Sequence, residues 1–293
     1  MSTPLQIPYT IVDAFTSKAF TGNPAAVVQL GDTVLSDATL QLIAREFNLG
    51  ATAFLSQTDA ADTFHVRWFT STHELALCGH ASLASAHVLG LPRLVLKSRV
   101  SGDLIALRTA DGRVELEFPA GVPQPTSEER KVEVGEALRK ALGLDAAPSI
   151  QFVGTTSGAS FPGYILIHID DAIDLAAQTV NSAVLAAELP GTNLHILTNS
   201  APELLREQGK HFVSRVFATP IGIPEDSVTG SSHCMLAPYW TTHLGASGQQ
   251  LSAKQVSARS GEVDVEWTKG SERVKIRGHA VKVGEGKIFV PST

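Results

Sequence analysis

The fold turns on the run Trp68-Phe69-Thr70-Ser71-Thr72-His73-Glu74-Leu75-Ala76-Leu77-Cys78-Gly79-His80-Ala81-Ser82. A β-rich segment, Phe64–Phe69, ends inside it, a short loop follows, and glycine with small polar neighbours opens a helical segment over Ala81–Leu89. The chain repeats the arrangement faintly further on. There a strand ending in Val216-Phe217-Ala218 leads through a loop to Thr229-Gly230-Ser231-Ser232-His233 and another helix. At each junction the N–H groups of a first helical turn have no carbonyl partner within the helix, and the helix dipole favours an anion. Two such helix starts facing one another would form a cleft for a small carboxylate. The alternative is a pair of ordinary small-residue helix starts.

Working outward, β-rich runs recur at Tyr9–Ala14, Ala25–Leu30, Arg93–Leu96, Leu104–Thr109, Val114–Phe118, Tyr164–Ile169, Leu194–Thr198 and Phe212–Phe217, and again between Leu251 and Val290. Val263, Val265 and Trp267 alternate with Glu262, Asp264 and Glu266, the pattern of a half-buried antiparallel strand. Helical periodicity is rarer. Ser36–Phe47 opens on an N-cap serine and carries Leu40, Ile43, Ala44 and Phe47 on one face. Val134–Leu142, Asn181–Glu188 and Ser232–His243 are the other helices expected. Many strands with few helices spell an α+β fold. Pro119-Ala-Gly-Val-Pro-Gln-Pro-Thr-Ser-Glu-Glu-Arg130 reads as a linker. It divides the chain into domains at 1–118 and 131–293, with the last strand free to cross back to the first domain.

Composition narrows the function classes. The chain has 293 residues, 43% of them hydrophobic and 18% charged, which suffices for a sizeable core. A formal charge of −6 argues against nucleic acid or an anionic membrane as the main partner. The most apolar uncharged stretch, Leu75–Leu91, is interrupted by His80, Ser82, Ser85 and His87, and fits a buried helix better than a membrane span. With no basic-then-apolar leader, a soluble cytoplasmic protein is expected. Cys78 and Cys234 are too few for a disulfide scaffold, although their spacing leaves a single bridge open. No phosphate-binding loop, zinc-protease helix, nucleophile elbow or dinucleotide fingerprint occurs. Gly284-Glu-Gly-Lys287 reads as a hairpin turn. His65, His168 and His195 fall in strands without a ligand-spaced partner and read as sheet residues.

An ordered set of short segments carries a family resemblance from residue 12 to about 240. They are Val12-Asp13-Ala14-Phe15, Phe20-Thr21-Gly22-Asn23-Pro24-Ala25, Ala44-Arg45-Glu46-Phe47-Asn48-Leu49, Arg67-Trp68-Phe69-Thr70, His73-Glu74-Leu75, Cys78-Gly79-His80-Ala81 and Glu225-Asp226-Ser227-Val228-Thr229-Gly230-Ser231. Together they resemble the PhzF family, the phenazine-biosynthesis-type isomerases that share the fold of diaminopimelate epimerase. The resemblance implies two similar α+β domains, each a curled, mostly antiparallel sheet around a central helix, with the active site in the cleft between them. It also implies a small-molecule isomerase that uses no metal and no organic cofactor, often as a homodimer.

The resemblance assigns site residues one at a time. His80 and Asp226 match the family's histidine and its second-half aspartate, and Cys78 matches the first of two cysteines in the epimerase relatives. Asn23, Gly79, Ala81, Thr229, Gly230 and Ser231 match substrate-contacting positions. Thr229 stands where the second cysteine would be, and its hydroxyl is far too weak an acid or base to replace a thiol unaided. The family's proton shuttle is a glutamate in an Asn-x-Ser-Glu segment, which here reads Asn48-Leu49-Gly50-Ala51. A methyl group at Ala51 carries no proton.

Each assignment has a plainer reading beside it. A helix dipole keeps His80 neutral and able to exchange a proton, while a helix-start histidine also satisfies local backbone. Asp226 orients or accepts, or is an ordinary acid before a helix. Cys78 is activated by the helix end or is a small buried hydrophobe. Glu46 and Glu74 are the acids able to stand in for the missing one; Glu46 otherwise anchors a loop, and Glu74 otherwise supports the site. Three function classes stay open: a proton-transfer isomerase, a cyclase or rearrangement enzyme that acts by positioning, and a catalytically silent small-molecule-binding relative.

Overall fold

A computed structural model describes residues 4–156 and 161–291. The chain divides into two compact units. One runs to Glu117 and takes up the chain again from Arg277, and the other is Phe118–Ile276.

In the first unit the order is β1 (Leu5–Ala14), β2 (Asn23–Gly31), α1 (Asp37–Phe47), β3 (Ala51–Gln57), β4 (Thr63–Phe69), β5 (Glu74–Leu75), α2 (Gly79–Leu89), β6 (Arg93–Ser98), β7 (Gly102–Arg108) and β8 (Val114–Pro119). The second contributes β9 (Gln124–Pro125), α3 (Glu128–Leu142), β10 (Ile150–Thr155), β11 (Tyr164–Ile169), α4 (Ser182–Glu188), β12 (Leu194–Ser200), α5 (Glu203–Glu207), β13 (Phe212–Ala218), β14 (Ile223–Asp226), α6 (Gly230–His243), β15 (Gln250–Gln255), β16 (Gly261–Glu266) and β17 (Arg273–Gly278). The last strand, β18 (Ala280–Val290), pairs antiparallel with β1.

The two sheets share one wiring. In the first, β1–β2 is antiparallel, β2–β3 parallel, β3–β4 antiparallel, β4–β6 parallel and β6–β7 antiparallel. In the second, β10–β11, β11–β12, β12–β13, β13–β15 and β15–β16 follow the same alternation. The parallel steps are crossovers through a helix, as parallel neighbours require. Helices α1 and α4 make the first crossover of their units, and α2 and α6 the second. The result is a mixed α+β fold of two similar halves, each a curled sheet with a central helix.

Helix α2 touches β1, β2, β3, β7 and β18, so the sheet wraps around it. Its Gly, Ala and Ser content lets strands approach closely, and its buried hydroxyls are satisfied locally: Ser82 donates to the Cys78 carbonyl (2.6 Å) and Ser85 to that of Ala81 (2.7 Å). Helix α6 has Pro238 inside it, which supplies no N–H to the Cys234 carbonyl. The N–H of Gly121 fills that place at 2.9 Å. Gly121 is required there, since a Cβ would lie 2.8 Å from the Phe161 ring. On the other face of the first sheet α1 packs Leu40, Ile43 and Ala44 against Val28 and Phe54. Helices α3 and α4 cover the second sheet through Val134, Leu138 and Leu185. Among the described residues no helix is long and apolar enough to cross a membrane, and the stretch around Leu75–Leu91 forms α2.

Several elements depart from expectation. Gly284–Lys287 lies within β18 and is not a turn. Glycine suits that strand because the Tyr9 hydroxyl occupies the space 2.9 Å from where a Cβ of Gly286 would stand. Helix α3 begins at Glu128, inside the segment read as a linker, because the Ser127 side chain accepts from the Arg130 N–H and caps it. Strands β3 and β10 were not expected at all.

Candidate functional site

In the first unit the helix start is built from α2, β2 and the segment leading into β3. Cys78 is the N-cap of α2, in extended conformation and with no capping bond from its side chain. Its Sγ lies 3.5 Å from Nδ1 of His80 and 4.0 Å from Nε2, and both residues are buried. A thiol and an imidazole at this separation can exchange a proton.

Asn23, buried at the start of β2, and His80 converge on Gly50. A Cβ there would lie 2.8 Å from Oδ1 of Asn23 and 3.4 Å from Nε2 of His80. Ala51, the first residue of β3, is fully buried and pairs in register with Ala25. Asp13 holds the approach by accepting from the Phe20 N–H at 2.7 Å. Ala81 is buried in the first turn of α2.

Glu46 is exposed on α1 beside a surface groove lined by Tyr9, Leu42 and Phe289. Glu74 accepts from Arg67 through both oxygens (2.8 and 2.7 Å), and Oε2 also accepts from Arg99 (2.9 Å). The Arg67 guanidinium holds this carboxyl below its usual range.

In the second unit Asp226 closes β14 and Thr229 is the N-cap of α6. The Thr229 hydroxyl donates to Oδ2 of Asp226 at 2.6 Å. The fully buried Gln255, on β15, accepts from the Thr229 N–H (2.9 Å) and donates to the Asp226 carbonyl (2.7 Å), so one amide locks both residues. Gln255 escaped the sequence reading. A polar residue at an inward position of an alternating strand was the signal that could have found it. Ser231 pairs with the Tyr164 hydroxyl at 3.1 Å, and Gly230 opens the helix.

His233, one turn in, lies 2.7 Å from the Thr229 carbonyl. A carbonyl only accepts, so Nδ1 carries the hydrogen. Nε2 is then bare, and it is buried with no hydrogen-bond partner among the described residues. Burial pushes this histidine down from 6.5 to about 4.

The structure thus groups Asn23, Cys78, Gly79, His80 and Ala81 in one unit and Asp226, Thr229, Gly230 and Ser231 in the other. His168 and His195 are fully buried strand residues bonded to Tyr239 (2.6 Å) and Thr192 (2.7 Å). Cys78 and Cys234 are both buried and are not bridged to one another.

Comparison with known proteins gives four further observations. The family model described as phenazine biosynthesis-like protein matches residues 12–286. An uncharacterised isomerase of Pseudomonas aeruginosa is 41% identical over 97% of this chain and 99% of its own length. A PhzF-family crystal structure from Enterococcus faecalis superposes with a TM-score of 0.82 at 32% identity, covering 98% of this chain and all of that one. The fold alone extends to a probable proline racemase of Agrobacterium radiobacter, at a TM-score of 0.55 and 13% identity over 97% of this chain and 93% of that one.

Proposed function

This chain belongs to the PhzF family, and from that premise we propose that it is a cofactor-independent isomerase of a small metabolite bearing a carboxylate or carbonyl. In this reading the substrate's charge is held at the helix start Gly79–Ala81, where N–H groups also stabilise the enolate that forms when a proton leaves the adjacent carbon. The family's glutamate is replaced by Ala51, so the proton is carried by the Cys78–His80 pair. One member removes it from carbon, and the pair returns it at another carbon. In the second unit Asp226, fixed by Thr229 and Gln255, stands at the helix start Gly230–Ser232, which offers the same kind of anion site.

The observation that carries this reading is the 3.5 Å contact between Cys78 and His80 at the start of α2. General acid–base catalysis by such a group is worth about 10²–10⁴-fold. The test is turnover of a panel of small carboxylic and keto acids, followed by mass spectrometry, with His80→Ala as control. An isomer formed by the wild type and reduced at least ~100-fold in His80→Ala supports the proposal. Binding without any product would make this chain a silent ligand-binding relative. A product whose rate is indifferent to His80 would leave positioning as the source of catalysis.

A further inference from the structure

The two units repeat more than a helix start. On β4, Arg67 grips Glu74 of β5 with Nε and Nη2 at 2.8 and 2.7 Å and lies over the Phe69 ring at 5.0 Å. On β13, Arg215 grips Glu225 of β14 through the same two atoms at 2.7 and 2.8 Å and lies over the Phe217 ring at 5.1 Å. In each case the phenylalanine is two residues beyond the arginine, and the glutamate is four residues before the N-cap of the central helix, Cys78 or Thr229.

The third arm of each arginine also goes to a matching place. Nη1 of Arg67 donates to Asp37, the first residue of α1, at 2.6 Å. Nη1 of Arg215 donates to the carbonyls of Leu175 (3.2 Å) and Gln178 (2.5 Å), just before α4, the counterpart of α1. What differs is the connection: Arg and Glu are 7 residues apart in the first unit and 10 in the second, where a 3₁₀ turn at Thr219–Ile221 takes up the slack. The loops vary, and the distance from glutamate to helix start does not.

We propose that Arg67–Glu74 and Arg215–Glu225 are duplicate positioning clamps, each fixing the segment that delivers a central-helix start and the polar groups on it. A planar guanidinium held at both nitrogens, stacked on a ring and half-buried restricts orientation far more than a surface ion pair does. Glu74 and Glu225 therefore touch no substrate; they set where Cys78 and His80, or Asp226 and Thr229, stand. The catalytic consequence rests on the function proposed above, whereas the positioning itself is measurable without a substrate.

Each central helix carries one buried cysteine near its start, Cys78 for α2 and Cys234 for α6. The experiment measures iodoacetamide labelling of each thiol in the full-length protein by peptide mass mapping, between pH 6 and 9. Glu74→Gln is expected to speed Cys78 labelling by at least ~10-fold at pH 7, the signature of local opening, and to leave Cys234 unchanged. Glu225→Gln should act on Cys234 and spare Cys78. Arg67→Lys, which keeps charge but loses the fork, should fall between wild type and Glu74→Gln. Unchanged labelling in both glutamine variants overturns the proposal. So does acceleration of the two thiols together, which would make the pairs general supports of the fold.

Discussion

His233 makes the second helix start acid-sensitive by an amount that follows from its surroundings. Its Nδ1–H holds the Thr229 carbonyl at 2.7 Å, and its other nitrogen is buried without a partner among the described residues, so the folded protein accepts only the neutral ring until about pH 4. In the unfolded chain the same ring protonates near 6.5. The folded value is the lower one, so the unfolded state binds the extra proton, and stability falls as pH drops from 6.5 toward 4, then levels off. Two and a half units at 1.36 kcal/mol each give about 3 kcal/mol in all, of which about 2 kcal/mol is lost between pH 7 and pH 5. Urea denaturation of wild type and His233→Asn at pH 7, 6 and 5 isolates the contribution. The asparagine amide keeps a donor toward Thr229 and removes the titration, while His168 and His195, whose burial also lowers them, remain in both proteins. The variant should lose about 2 kcal/mol less than wild type over that range. Parallel pH dependences would refute the assignment.

Gly50→Ala would put a Cβ 2.8 Å from Asn23 Oδ1 in the first unit, and a cost of about 1–3 kcal/mol should appear as a lowered melting temperature. Gln255→Leu strips the Thr229 N–H of its partner and the Asp226 carbonyl of a donor; we expect a loss of about 2 kcal/mol or more, read by urea titration. Pro238→Ala should stabilise α6 by much less than the ~3 kcal/mol a helix-interior proline usually costs, because Gly121 already satisfies the carbonyl that the proline leaves open. A full 3 kcal/mol gain in the same titration would contradict that account.

How legible the fold was in the sequence varies by element for physical reasons. Helix α1 announced itself through the Ser36 cap and a one-sided apolar stripe, and Ser36 does accept from the Thr39 N–H. Helix α3 hid its first turn because Glu128–Lys131 bury nothing and adjoin a proline-rich run, so only the packed face from Val134 showed periodicity. Strand β3 has five consecutive buried residues, Ala51–Leu55, and a strand covered on both faces has no alternation to read. The wiring shared by the two sheets surfaced only as a faint likeness of two helix starts. The Arg–Glu clamps were invisible because their sequence separations differ between the halves, although their geometry does not. At the site, Cys78, His80 and Asp226 were reached through family resemblance. The contact between Cys78 and His80 and the lock formed by Gln255 depend on side chains meeting in space, which no spacing announces.

The most direct test of the central claim is deuterium incorporation in D₂O, measured on the substrate identified by the acid panel. The proteins compared are wild type, Cys78→Ala, His80→Ala and the double variant Ala51→Glu/His80→Ala. If the Cys78–His80 pair moves the proton in place of the family's glutamate, wild type will put solvent deuterium into the isomerised product. Both single variants will slow that incorporation by ~10²-fold or more, and Ala51→Glu will restore exchange in the His80→Ala background. Product formed without solvent deuterium, or exchange untouched by loss of either Cys78 or His80, would contradict it.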